Sequence, residues 1–506
     1  GNALLKLGQL DESIAASHRS LAISPRDLET RYNLGIALEH AGRLSESEAM
    51  QRGVLESAAG HARATNNLGV VLKLQGRLAE AAEQFERARE LSPDSTAAVA
   101  NRLATMLCRD DVSTDEILAA HRQSSLELWG DLESSRSSPA QARSDRSPLR
   151  VGFVSPDFGQ HPVGRFLLGA FESFDTDRVQ AVCFSDRVQV DAFTDRFRSA
   201  SAEWFDIRGR EDEQVAEWIG GAGIDVLVDL AGHTGHHRLG VFARRPAPLQ
   251  LTWIGYPSTT GLDAIDVLVA DEVLVPEGAE VSFSEEVVRL EGGHISYLPA
   301  VGDHEVVARP ESDEVVFGSF NKLDKTTPAV LATWAEVLQG HHGSRLVLRS
   351  RGLDDPQVAD RVIGILGDAG LESDRIECHG WVSHTELLAG YGEIDIGLDP
   401  FPFCGGLTTC EALWMGVPVV TWAGDRMCGR QSAAFLARVG LEDLVASSRE
   451  DYVARAVGRA EDAGRRGVLR DELRGRVTEG PLGDGRRLAL EFTSMVERAW
   501  RERDVV

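Results

Sequence analysis

Glycine recurs at a fixed step from the first residue of this chain. Gly1, Gly35 and Gly69 stand 34 residues apart, and so do Gly8, Gly42 and Gly76, which run into "GQL", "GRL" and "GRL". A unit of this length cannot bury an apolar face alone, which points to helix pairs stacked on their neighbours. In each unit the first glycine lets two helices approach and the second ends the first helix, while Ser13, Ser47 and Ala81 supply the small residue at the contact. Pro25 and Pro93 close units after the second helix, and "NRLATML" opens another helix in phase. Because Gly1 already lies inside a repeat, the chain is expected to continue upstream.

This is the tetratricopeptide period, and it predicts an all-α superhelix over residues 1–132. Asn33, Asn67 and Asn101 keep the 34-residue step and should line one face. They form either a ladder that bonds the backbone of an extended polypeptide or a residue type merely common at that repeat position. The stretch 133–148, "ESSRSSPAQARSDRSP", has almost no apolar residue and reads as a linker or ordered surface loop.

Beyond it the period changes. "RVGFVS", "AVCFS", "IDVLVDLAG", "LQLTWIGYP" and "IDVLVAD" alternate with helical stretches, and a second series follows: "VVFGSFN", "RLVLRS", "RIECHG", "IDIGLD" and "PVVTWAG". Buried parallel strands read as such short apolar runs. The expectation is two Rossmann-like α/β domains, 149–309 and 310–506, facing a cleft, with ligands at the carboxyl ends of the strands.

Seventy-nine acidic against 53 basic residues give a formal charge of -26. That field repels polyanions, so nucleic acid and anionic membrane are not expected partners, although one nucleotide in a local basic site is allowed. Cys108, Cys183, Cys378, Cys404, Cys410 and Cys428 form no CxxC pair, which argues against a structural zinc or disulfide framework and suits a reducing cytoplasm. No apolar run approaches the roughly 18 residues of a membrane span, and no signal peptide opens the chain.

The chemistry-bearing stretches fall at strand ends. In "IDIGLDPFPFCGGLTTCEALWMG", Gly405 and Gly406 let backbone approach a ligand at a helix start, where free N–H groups favour an anion. Thr408 and Thr409 can add hydroxyls, and Glu411, placed in the first turn, can accept both hydroxyls of a ribose or simply complement the helix dipole. In "FGSFNKLDKTTP", Lys322 and Lys325 bring positive charge to a diphosphate or are solvated surface lysines. His161 in "RVGFVSPDFGQHPVGRF" is a base or substrate-orienting group, or a loop histidine bonded to backbone. His233, His236 and His237 in "GHTGHH" lack companion ligands at metal spacing, and the Asp175–Asp177 pair in "SFDTDRV" reads as a turn rather than a metal–sugar-nucleotide motif.

Together these stretches resemble the O-linked N-acetylglucosamine transferases of glycosyltransferase family 41, which join tetratricopeptide repeats to a GT-B catalytic region. The resemblance rests on "RVGFVSPDFGQHPVGRF", "RRPAPLQLTWIGYPSTTG", "FGSFNKLDKTTP" and "DPFPFCGGLTTCEALWMGVPVVTWAGDRMCGRQSAAFL", in that order. It implies inverting transfer of a sugar from a nucleotide donor to serine or threonine, with no cofactor or required metal, on polypeptide acceptors held by the repeats. His161 then matches the family's active-site histidine, whose role as base is disputed, and Lys325 the lysine at the diphosphate. Thr408 and Thr409 fall at the phosphate-binding helix start, Glu411 at the ribose-binding acid, and Val382 in the stretch whose backbone holds uracil. Gly255 and Pro257 would border the sugar, and Phe403 occupies a position that shapes its pocket. Animal members carry histidine at the position of Gly406 and aspartate at that of Glu411, so the chain looks like the bacterial branch. Plant relatives use GDP-fucose, which leaves UDP-N-acetylglucosamine, UDP-glucose and GDP-fucose as donors to weigh, beside a repeat scaffold with weak transferase activity.

Overall fold

The computed structural model describes residues 1–134, 147–300, 302, 305, 306 and 314–503. The repeats form helices Asn2–Lys6, Leu10–Ile23, Leu28–His40, Leu44–Ser57, Ala62–Leu74, Leu78–Leu91 and Thr96–Cys108. Gly8, Gly42 and Gly76 follow the first helix of each pair at φ 74, 76 and 76°, the left-handed region that only glycine enters at little cost. A side chain on Gly35 would collide with Gln51, and one on Gly69 with the Phe85 ring. Ser13 and Ser47 hydroxyls donate to the carbonyls of Gly1 (3.0 Å) and Gly35 (2.7 Å), which fixes each helix pair.

The next helix, Thr114–Ser134, leaves the superhelix for the first α/β domain, where Trp129 joins the core and Ser125 donates to the Thr260 carbonyl at 3.0 Å. In packing terms the expected boundary at 132 therefore falls within an element that joins two domains. Of the stretch expected as a linker, residues 133 and 134 end this helix and 147–148 lead into the first strand, while 135–146 lie outside the described residues.

The first sheet contains β1 (Leu149–Ser155), β2 (Val179–Ser185), β3 (Glu203–Asp206), β4 (Val226–Asp229), β5 (Leu249–Thr252), β6 (Val267–Asp271) and β7 (Glu286–Leu290). They run parallel in the order β3-β2-β1-β4-β5-β6-β7. The second contains β8 (Val315–Ser319), β9 (Ser344–Arg349), β10 (Ile376–His379), β11 (Ile396–Leu398), β12 (Val419–Trp422) and β13 (Val445–Ala446). These are parallel too, in the order β10-β9-β8-β11-β12-β13. Each chain order reverses at the first strand of its sheet, β1 or β8, and loops leaving the carboxyl ends there open a crevice.

The last helix corrects the expected second domain, 310–506. Helix Gly485–Arg503 crosses back to the first sheet, where Phe492 stacks on Trp253 at 4.4 Å and 8°, and Leu488, Met495, Val496 and Trp500 complete the core. The repeats in turn lie on the second domain. Ser45 donates through N–H (2.7 Å) and hydroxyl (2.9 Å) to the Asp355 carboxylate, Lys73 pairs with Asp324 at 3.7 Å, and Leu44 and Val71 enter the same core as Leu323.

Candidate active site

β11 runs directly into Asp399, a buried carboxylate. It accepts the Gly405 N–H at 2.7 Å and the Thr421 hydroxyl at 2.7 Å, which pins the loop between strand and helix. A side chain at Gly405 would collide with the Thr409 hydroxyl and come within 2.8 Å of Asp399. Helix Leu407–Trp414 then begins from Gly406 with no side-chain cap; the Thr409 N–H donates to the Gly406 carbonyl at 3.1 Å, which leaves the N–H groups of Leu407 and Thr408 for a ligand or solvent.

The two threonines divide. Thr409 is buried, 2.8 Å from the Ser432 hydroxyl, which in turn donates to the Gly405 carbonyl at 3.1 Å. Its hydroxyl braces the loop, contrary to the expectation that both threonines face a phosphate. Thr408 remains half-buried, with its hydroxyl donating to Asn321 Oδ1 at 2.9 Å. Glu411 also departs from expectation: the helix starts at Leu407, so the glutamate opens the second turn and is buried rather than a first-turn surface charge. His384 Nε2 lies 2.6 Å from its Oε1. Sequence reasoning missed His384; the signal was "SHTE" three residues after β10, a capping box of Ser383 and Glu386 that sets the histidine on the first helical turn.

Lys325 closes a turn, Leu323–Lys325, that follows β8. Its Nζ donates to the Cys404 carbonyl at 2.7 Å and lies 4.0 Å from the centroid of the Phe403 ring, so the cation is fixed at the mouth of the glycine loop. Lys322 and Val382 border a cavity of about 470 Å³ formed by the loops after β8, β9 and β10. Trp381, His384, Lys73 and Asn101 line it as well, the last two from the repeats.

From the opposite domain, His161 caps helix Pro162–Phe171 after β1. Its Nδ1 lies 3.4 Å from the Val163 N–H nitrogen and 3.4 Å from Asp157 Oδ1, which leaves Nε2 as the outward nitrogen. Burial first, then the cations Lys322 and Arg187, lower the imidazole to about 4, so it is neutral near pH 7. The ring keeps 42% exposure, so solvent tempers that shift without changing its direction. Burial raises Asp157 to about 7 against the pull of Arg187. The two domains touch directly as well, Arg430 Nε donating to the Val273 carbonyl at 2.7 Å and Arg438 pairing with Glu272 at 2.7 Å.

Other expected residues lie apart. A side chain at Gly255 would overlap the Leu230 carbonyl, so this glycine serves close packing of the β4 and β5 ends. Pro257 borders a separate 30 Å³ cavity beside Leu107, Ile117 and Cys428, where the repeats meet both domains. Asn33 donates to Glu29 at 3.3 Å, Asn67 accepts from Asn66 at 3.5 Å, and Asn101 donates to Asn66 at 3.1 Å. Of the three asparagines, Asn101 reaches the large cavity. His233 is buried between Trp129 and Tyr256 with Nε2 2.7 Å from the Thr260 carbonyl, a core histidine. Asp177 N–H donates to Asp175 at 3.0 Å, as a turn requires. Among the described residues no group of three or more His, Cys, Asp or Glu could hold a metal, and no helix is long and apolar enough to cross a membrane.

Two parallel sheets that turn their carboxyl ends toward a shared cleft, with the last helix returning to the first sheet, define the GT-B class of transferase folds. Within that class the chain belongs to glycosyl transferase family 41, whose sequence model matches residues 133–310 and 301–492; a tetratricopeptide-repeat model matches 26–94. It is similar to the SPINDLY protein of Solanum lycopersicum, described as a probable UDP-N-acetylglucosamine–peptide N-acetylglucosaminyltransferase, at 36% identity over 81% of this chain and 45% of that protein. The SPINDLY protein of Oryza sativa subsp. japonica, with the same description, is 35% identical over 83% of this chain and 46% of its own length. The chain thus spans about half the length of these curated relatives. A solved structure of a lysine-to-methionine variant of the Thermobaculum terrenum O-GlcNAc transferase superposes with a TM-score of 0.92 at 33% identity, covering 99% of this chain and 96% of that one.

Proposed function

We propose that this chain is an inverting protein O-glycosyltransferase that moves N-acetylglucosamine from UDP-N-acetylglucosamine to serine or threonine hydroxyls of polypeptides. One observation carries the reading: Lys325 is fixed on the carbonyl of Cys404, beside an uncapped helix start. The helix N–H groups and Lys325 receive the diphosphate, Thr408 adds a hydroxyl, and Glu411 takes the ribose. The acceptor hydroxyl attacks the anomeric carbon from the His161 side as the bond to the diphosphate breaks. His161 takes the proton, and the electron pair leaves with UDP. Lys325 and the helix start supply the counter-charge, so the reading requires no metal or other cofactor.

The repeats present the polypeptide, with the asparagines at 33, 67 and 101 along its path and Asn101 nearest the donor. Gly255, Pro257 and Phe403 border the sugar in this scheme, and Val382 offers backbone to the base. Six free thiols fit a reducing bacterial cytoplasm, and the net charge of -26 disfavours nucleic acid and anionic membrane as partners. The test is incubation with UDP-N-acetylglucosamine, UDP-glucose and GDP-fucose in separate reactions, followed by mass spectrometry of candidate acceptor proteins. Mass gain with the first donor is expected. Gain with GDP-fucose alone reassigns the donor, and none with any donor from folded protein refutes the enzyme.

A further inference from the structure

We propose that the Asp157 carboxylate selects which nitrogen of His161 carries the proton, which makes Asp157 a positioning residue for deprotonation of the acceptor hydroxyl. The inference rests on the reading of His161 given under Proposed function. Nδ1 meets two groups with opposite demands. The Val163 N–H, 3.4 Å away, needs a lone pair there, whereas an ionised Asp157, with Oδ1 also 3.4 Å away, needs a proton. With Asp157 ionised, the ring holds Nδ1–H and presents a lone pair on Nε2 to the cleft. That lone pair takes the hydroxyl proton as the acceptor oxygen bonds to the anomeric carbon and UDP departs with the electron pair; the imidazolium formed then faces Asp157. With Asp157 protonated, its O–H and the Val163 N–H both point to Nδ1, and the ring proton moves to Nε2, where it blocks the base.

The turn holds this arrangement in place. Asp157 N–H donates to Ser155 Oγ at 2.9 Å, its carbonyl accepts the Gly159 N–H at 2.8 Å, and His161 N–H donates to the Gly159 carbonyl at 2.7 Å. A side chain at Gly164 would collide with that same carbonyl, so helix and turn fit only with glycine there. The charged groups acting on Asp157 are Arg187, from the loop after β2, and Asp229, at the end of β4; Arg187 is held by Asp191 at 2.5 Å. His161 feels Lys322 and Arg187. Burial places Asp157 at about 7, so the two tautomers exchange dominance in the working range of pH.

The test is ¹⁵N NMR of histidine-labelled protein across pH, with the His161 signals assigned by their loss in His161→Gln. Wild type is expected to show Nδ1–H above about pH 7 and Nε2–H below it, and Asp157→Asn to lose that crossover. In transfer assays kcat/KM should fall on the acid side of the same midpoint. Asp157→Asn should lower kcat by about 10²-fold and lose that limb, with calorimetric UDP affinity unchanged. Wild-type protein that stays Nε2–H at about pH 8, or Asp157→Asn with a wild-type pH profile, overturns the proposal. Since the tautomer is read without any donor, failure of the transferase reading shows as absent transfer beside a normal crossover.

Discussion

Removing the charge of Lys325 while keeping most of its unbranched chain, as Lys325→Met, should separate catalysis from binding. At an effective dielectric near 20, a full charge about 4 Å from a phosphate oxygen is worth about 4 kcal/mol. Much of that already acts on the bound donor, so the part that accelerates transfer is the share belonging to charge that grows as the diphosphate leaves. Taking that share as about 2–3 kcal/mol predicts a fall in kcat of roughly 30–150-fold. The structure adds a second, separable cost. The Cys404 carbonyl loses its 2.7 Å donor and the Phe403 ring its cation. A buried carbonyl left unpaired costs about 1–3 kcal/mol of stability, so melting should drop by a few degrees while the fold persists. Single-turnover transfer at saturating donor measures the first effect and calorimetric UDP titration the binding share. Folded Lys325→Met with a wild-type single-turnover rate would falsify the assignment of Lys325 to the leaving diphosphate.

Thr408→Ala should weaken UDP and its 2′,3′-dideoxy analogue alike. Glu411→Ala should erase the preference for ribose over that analogue by about 1.5–3 kcal/mol; calorimetry of both nucleotides on both variants separates the roles, and full retained discrimination in Glu411→Ala would move the ribose elsewhere. Joint replacement of Asn33 and Asn67 by alanine, which leaves Asn101 on the cavity wall, should raise KM for protein acceptors and leave UDP affinity unaltered; unchanged acceptor kinetics would reduce the two to ordinary repeat residues. His121 is buried, with Nδ1 2.6 Å from the Ile117 carbonyl and Nε2 2.9 Å from the Tyr256 hydroxyl, and burial, then His233, lower it to about 3. Its folded value lies below that of the unfolded chain, so its contribution is full above about pH 6.5 and is lost as pH falls toward 3, by up to about 1.4 kcal/mol per pH unit. Urea unfolding of His121→Gln between pH 6.5 and 5 should show a slope shallower than wild type by that amount, and parallel slopes would mean that the histidine titrates freely in the fold.

What could be read in advance followed the range over which sequence fixes geometry. The strands expected from apolar runs are found, most of them inside their sheets, because strands buried on both faces have no polar alternation to blur them. β3, β7 and β13 were not anticipated; each is an edge strand, and "EWFD" and "EVVRL" carry the charges that edges tolerate. The glycine loop and the helix after it were legible because strand, loop and helix start are consecutive in the chain. Pairings across the fold were not. Nothing within "GGLTTCE" tells that Thr409 will meet Ser432 or Glu411 His384, since each depends on how separate elements pack. The return of Phe492 to Trp253 is the same case at longer range: an amphipathic helix announces that it will be covered without naming the surface that covers it.

The seat of the Leu323–Lys325 turn limits how repeat arrays can be exchanged between relatives. Leu323 shares a core with Leu44 and Val71, and Asp324 pairs with Lys73, so the last two helix pairs before residue 96 act as scaffolding for the lysine turn. A chimaera joined near residue 132 would replace that scaffolding along with the repeats and should transfer sugar poorly even to a small peptide. A junction upstream of Leu28 leaves the seat intact. Diversification of acceptor range by gain, loss or shuffling of repeats is therefore open to the outer units and closed to those that the lysine turn stands on.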